Sequence, residues 1–163
     1  MIDIFSKYAT AIALSGKTPE HFIEALKRIF HQMGGAPNII MSDEEGSLQS
    51  KLIDDFFKKE NITYIINRNH SRFIERFIRT LKNLMNRRLQ RRPDEKWYDL
   101  LFEALLTYNY KMVHSSTGLT PAEARKHKNN ITAKLNMESK AMHDRNYPEI
   151  KEEDKVRIFK TNS

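Results

Sequence analysis

Apolar positions along this chain switch between short runs and helical spacing. Ile2–Phe5 and Ala9–Leu14 are short apolar runs around Ser6-Lys7, which predicts two strands joined by a turn. Phe22, Ile23, Leu26, Ile29, Phe30 and Met33 then recur at helical spacing, between Thr18-Pro19, a start signal, and Gly34-Gly35, a stop signal. Ile39-Ile-Met41 is long enough for a buried strand. Leu52, Ile53, Phe56 and Phe57 place a short helix at 50–60, and Ile62–Ile66 reads as a further β-branched strand. Phe73, Ile74, Phe77, Ile78, Leu81, Leu84 and Met85 form the stripe of a long helix that ends before Pro93. Trp97, Leu100, Leu101, Ala104, Leu105 and Tyr108 predict another. Thr120-Pro-Ala-Glu123 has the form of a capping box with Pro at the first helical position. Strands alternating with helices predict an α/β fold, and 163 residues suit one domain with a real core.

Charge changes this picture. The chain carries a net +7, and nearly all of the excess lies in residues 63–92, which hold nine Lys/Arg and one carboxylate, Glu75. A basic island of this density reads as a polyanion site, because phosphate neutralisation drives nucleic-acid binding. Cysteine is absent, so there is neither a disulfide framework nor a thiolate zinc site. No apolar run approaches the length of a membrane span, and no basic n-region precedes an apolar stretch as in a signal peptide. The expected setting is nuclear or cytoplasmic rather than secreted, with no membrane partner.

Glu75 is out of place in a segment built only to bind phosphates. A carboxylate among phosphate-binding cations suits metal-assisted phosphodiester chemistry, in which two divalent ions activate the attacking oxygen and stabilise the leaving one. Asp43 is a second candidate. It falls just past the Ile39–Met41 strand, and in open α/β sheets ligands bind outside the carboxyl ends of strands. The alternatives are a turn or cap residue for Asp43, and a helical ion pair with Arg72 or Arg79 for Glu75. Glu75, Arg79 and Lys82 lie at i, i+4 and i+7 and share one helix face, which Asn86 continues. Arg72 and Arg76 flank the acid. Arg87, Arg88, Arg91 and Arg92 are expected to make non-specific backbone contacts. Asn69, His70 and Ser71 form the loop before the helix, with Asn69 and His70 as candidate substrate contacts.

Four motifs follow one another: Ile40-Met-Ser-Asp43, then His70-Ser-Arg-Phe-Ile-Glu75-Arg-Phe-Ile-Arg-Thr-Leu-Lys82, then Tyr108-Asn109, then His114-Ser-Ser-Thr-Gly118-Leu-Thr-Pro121-Ala-Glu123. Over about residues 1–130 the chain resembles the integrase catalytic core of retroviruses and retrotransposons. Its wording is most similar to that of Maverick/Polinton and virophage-like elements. The resemblance implies a ribonuclease H-like mixed sheet flanked by helices, and a Asp, Asp, Glu site in which Asp43 is the second acid and Glu75 the third. The 31 residues between them are fewer than in most retroviral members, and the glycine usual shortly after the second acid is displaced to Gly46. The first acid is expected on a strand upstream of the one that opens this chain. Asp3 matches a frequent acidic position before a turn, not that ligand. The resemblance further implies two Mg²⁺ (or Mn²⁺) ions held by Asp43, Glu75 and the first acid. It implies double-stranded DNA as partner, both element ends and target, and a homo-oligomer, dimer or tetramer. Residues 131–146 read as a linker, and 147–163 as the opening of an SH3-like or chromo-like barrel. Two other functions compete with DNA integration: a non-catalytic DNA-binding protein derived from such a core, and a ribonuclease H-like nuclease.

Overall fold

The N-terminal segment is a tight hairpin rather than the expected pair of strands. Asp3 N–H donates to Tyr8 O, Lys7 N–H to Asp3 O and Thr10 N–H to Met1 O, yet only Ile2 and Ala9 form an antiparallel bridge. The reason is local. Lys7 takes a left-handed conformation (φ 64°), and the Asp3 carboxylate accepts from Phe5 N–H, Ser6 N–H and the Ser6 hydroxyl. The chain therefore curls around Asp3 instead of extending. The computed structural model describes residues 1–44, 48–67 and 72–143, and of Arg72 only the backbone. The candidate contacts Asn69 and His70, the displaced Gly46 and the barrel segment 147–163 lie outside the described residues.

Helix α1 (Pro19–Met33) starts behind Thr18 with Pro19 at its first position. The Thr18 hydroxyl pairs with His21 Nδ1, 3.0 Å away, rather than with a backbone N–H. Gly34 ends the helix at φ 81°, a conformation costly for a side chain bearing Cβ, and Gly35 N–H closes the last turn onto Phe30 O. Strand β1 (Ile39–Ser42) pairs in parallel with β2 (Thr63–Ile66), in the register Ile39↔Thr63 to Ser42↔Ile66. Between them α2 (Lys51–Lys59) begins at Ser50, whose hydroxyl accepts from Ile53 N–H at 3.3 Å. Helix α3 (Arg72–Arg91) runs into α4 (Trp97–Lys111). The short α5 (Pro121–Ala124) has the complete capping box expected from Thr120 and Glu123. The stretch expected as a linker from 131 is helical as far as His143, within α6 (Asn130–His143). Ala133 is buried there, and Asn136 Nδ2 donates to Thr117 O at 2.7 Å.

Two apolar clusters hold these elements. Phe30, Ile53, Phe56, Phe57 and Ile62 join α1 and α2 to the strands, while Ala9, Phe77, Leu81, Leu101, Ala104, Leu105 and Tyr108 join the hairpin, α3 and α4. Strand β1 is less buried than its apolar run predicts. Ile40 and its partner Tyr64 pack on the helices, but Ile39 and Met41 are about half exposed. Successive side chains of a strand face opposite ways, and helices cover one face of this two-stranded sheet. Phe73 and Ile78, counted in the apolar stripe of α3, are likewise partly exposed.

Candidate nucleic-acid interface and acidic pair

Parallel pairing puts the carboxyl ends of β1 and β2 at one edge of the molecule. Asn67 N–H donates to Ser42 O at 2.7 Å, one residue before Asp43. The Ser42 hydroxyl sits 2.6 Å from the Tyr64 hydroxyl and 2.7 Å from Asp43 O, so the backbone leading into Asp43 is held from both strands. Helix α3 starts five residues after Asn67, with Glu75 in its first turn. Asp43 and Glu75 are both exposed, and Glu75, in the first turn of α3, adds favourably to the positive end of the helix dipole.

At about 100° per residue, Glu75, Arg79, Lys82 and Asn86 fall within roughly 60° of one another around α3. All four are exposed, as are Arg76 and Arg87 on the adjoining flank. The opposite side carries Phe77 and Leu81 into the core. This face is therefore a run of cations leading away from a carboxylate, open to solvent along its length.

Arg88 departs from the expected phosphate-binding set. Its guanidinium donates to Leu84 O at 2.9 Å, to Glu103 O at 3.3 Å and to Thr107 Oγ1 at 2.5 Å, and lies 3.5 Å from Glu103 Oε2. It is directed into the seam between α3 and α4. Arg92 makes a two-pronged contact with Glu103, at 3.1 and 2.5 Å, and a third with Glu95 at 3.2 Å. Hydrogen bonding from Arg92 holds the Glu103 carboxyl below its usual range. The sequence contains the signal for Arg88. It follows Leu84 by four residues and Leu81 by seven, which places it on the packed side of the helix.

A further group sits where α3 leaves the hairpin. Lys7 is 5% exposed, its ammonium donates to Ile4 O, and it lies 4.1 Å from the centre of the Phe73 ring. Burial lowers its pKa, against the attraction of Asp3. His114 packs edge-on against Tyr108 at 4.9 Å, with its Nε2 buried and unpaired among the described residues. Burial lowers its pKa too, and the nearby Lys7 and Arg76 charges add to that. The Asp3 carboxylate is occupied by the turn.

Among the described residues no group of three His, Cys, Asp or Glu side chains could hold an ion. Among the described residues no helix is long and apolar enough to cross a membrane.

A second exposed surface lies on α4. Tyr98, Phe102, Leu106 and Tyr110 follow at four-residue intervals and Val113 extends the row. All five are exposed, Phe102 at 67%.

This is the fold of a retroviral integrase catalytic core. The HTLV-2 integrase catalytic core domain in complex with magnesium, in a trimeric form, superposes with a TM-score of 0.69 over 77% of this chain and 81% of that one, at 22% identity. Its dimeric form gives 0.66 over 74% of this chain and 78% of that one, at 24% identity. A chain of the simian T-cell lymphotropic virus intasome in complex with PP2A regulatory subunit B56 gamma gives 0.70 over 98% of this chain and 52% of that one, at 21% identity. In sequence the chain is 31% identical over 125 residues to the retrovirus-related Pol polyprotein from transposon 297 of Drosophila melanogaster. That match takes in 75% of this chain and 12% of the polyprotein, so the chain spans about an eighth of that relative. No family model matches.

Proposed function

We propose that this chain is the DNA-engaging core of a mobile-element integrase, acting in the trimming of element ends and their joining to target DNA. The observation that carries the proposal is the α3 face. Glu75, in the first turn of the helix, is followed by Arg79, Lys82 and Asn86 in one exposed row. A DNA end laid along this face would bring one phosphate to the acidic pair and the next ones to the cations. The likeness to integrase cores in fold and to the transposon polyprotein in sequence supports it. The wording of 69–82, 105–109 and 112–121 favours an element of the Maverick or virophage-like kind, acting inside the cell. Residues 147–163 would open a barrel module after the core.

Mg²⁺ or Mn²⁺ would supply the phosphoryl-transfer chemistry, and Asp43 and Glu75 would be two of its ligands. With two carboxylates in place, what this chain's own residues do is hold and orient DNA. That no three-residue donor group occurs among the described residues favours one other function, a DNA-binding protein without catalysis. The exposed α4 row is proposed as the contact with a second copy, since joining two ends needs two cores. A row of five large apolar side chains is of the kind that forms the centre of a subunit interface of about 800 Å² per partner.

Incubation of a labelled duplex end with plasmid in Mg²⁺ or Mn²⁺ tests these functions. Joined product establishes the integrase, cleavage without joining a nuclease, and binding without either the non-catalytic protein. Glu75→Gln is expected to abolish any turnover while leaving DNA binding intact, and unchanged turnover removes Glu75 from the site. Arg79→Ala with Lys82→Ala should weaken binding for all sequences and lower the salt slope by about 2, one per lost phosphate contact.

A further inference from the structure

Among the described residues there is a partly enclosed pocket of about 380 Å³ lined by Tyr8, Tyr110, Thr120, Glu123, Arg125 and Lys126. It lies where the hairpin, the end of α4 and α5 meet. None of its residues belongs to the α3 face. Its charges are unequally occupied. The Glu123 carboxylate accepts from Thr120 N–H at 3.0 Å and from the Thr120 hydroxyl at 2.7 Å, so the capping box uses it. Arg125 and Lys126 form no ion pair among the described residues.

Arg125 is also held in place. Its guanidinium carbon lies 4.5 Å from the centre of the Tyr8 ring, and one nitrogen donates to Met33 O at the end of α1. A guanidinium has five N–H donors, so stacking on a ring and bonding one carbonyl leave others for a ligand. Burial and the neighbouring Tyr110 hydroxyl raise the Tyr8 pKa, while the nearby Arg125 charge opposes them. The wall thus presents a fixed guanidinium, an ammonium and two phenolic hydroxyls, against one carboxylate already engaged.

We propose that this pocket takes a phosphate group, held by Arg125, Lys126 and the two tyrosine hydroxyls. A phosphate with three terminal oxygens and close to two negative charges matches two cations and two hydroxyls better than a single carboxylate does. The volume leaves room for what the phosphate is attached to. Its source is either the phosphate of a DNA strand, which would give the chain a DNA contact away from α3, or a small phosphorylated molecule.

The test is NMR of the full chain with ¹³C-labelled tyrosine, titrated with inorganic phosphate, with a short 5′-phosphorylated duplex, and with sodium chloride at matched ionic strength. Saturable shifts of the Tyr8 and Tyr110 rings with phosphate, absent with chloride, are expected. Arg125→Gln and Lys126→Gln should each weaken that binding about tenfold, the usual effect of losing a charge-assisted hydrogen bond. Lys126→Gln guards against loss of fold, because Arg125 also ties α5 to α1. If the duplex shifts the same rings and phosphate competes with it, the source is nucleic acid. If phosphate alone shifts them, it is a small molecule. Absence of ring shifts with both, or equal shifts with chloride, overturns the proposal. Arg79→Ala separates this pocket from the α3 face, because it should reduce duplex affinity without changing the phosphate titration.

Discussion

Asn109 joins residues one hundred positions apart, and its replacement has a cost that the structure lets one work out. Its side-chain oxygen accepts from Ala9 N–H at 3.0 Å, and its amide donates to Ala9 O at 2.7 Å. Ala9 is 1% exposed and Asn109 is 4% exposed, so water does not replace either bond. Asn109→Ala leaves one buried N–H and one buried C=O without partners. Each such loss costs about 1–3 kcal/mol, which gives about 2–6 kcal/mol for the pair. That is a large part of the roughly 5–15 kcal/mol that holds a domain folded. With a urea slope of about 2 kcal/mol per M, the unfolding midpoint should fall by roughly 1–3 M at constant slope. Asn109→Asp distinguishes hydrogen bonding from packing. At pH 7 the carboxylate still accepts from Ala9 N–H but opposes Ala9 O, so this variant should be at least as unstable. Facing a carbonyl, the new acid has its folded pKa raised above the unfolded value near 3.9. Protonation then favours the folded state, so the deficit relative to wild type should shrink as pH falls through the raised value and reach its minimum below about 4. Urea melts of both variants at pH 7 and pH 4 provide the measurement. A loss below 0.5 kcal/mol for Asn109→Ala would refute the reasoning, as would an Asn109→Asp deficit that does not respond to pH.

Two further outcomes are expected. Phe102→Glu puts a charge in the middle of the exposed α4 row, and sedimentation velocity should show a wild-type dimer or larger species becoming a monomer, while an unchanged assembly would take α4 out of the interface. His114 has its folded pKa lowered by burial and by Lys7 and Arg76, so the unfolded state binds its proton first. Stability should therefore decline as pH falls through the ordinary value near 6.5, by at most about 1.4 kcal/mol per pH unit, and His114→Gln should remove that part of the slope seen in melts between pH 5 and 8.

Much of the helical architecture was legible in the chain. Phe22 to Met33, Leu52 to Phe57 and Trp97 to Tyr108 each show the spacing of the helix that forms, and Gly34 and the Thr120–Glu123 box mark their boundaries. These are local signals, because capping and turn preferences act over three or four residues. The cationic row on α3 was legible for the same reason, since helix periodicity puts Glu75, Arg79 and Lys82 together whatever surrounds them.

The departures occur where distant parts meet. Two apolar runs around Ser6-Lys7 predict strands, but the turn that Asp3 organises leaves a single bridge. An apolar run at Ile39–Met41 does not reveal how many faces of its sheet are covered. Arg88 counts as one more positive charge in the sequence, and only the approach of α4, with Glu103 and Thr107, makes it a seam residue. Arg125 and Tyr8 are separated by most of the chain, and nothing in either neighbourhood predicts their stacking. By itself the sequence determined most of the helical segments, though not α6, many of their boundaries, and which helix carries the positive charge, because those depend on neighbours within a turn or two. The tertiary structure alone decided which polar groups face a partner and which face solvent. Hydrogen bonding and burial depend on what packs against a residue, and here that is often supplied by residues far along the chain.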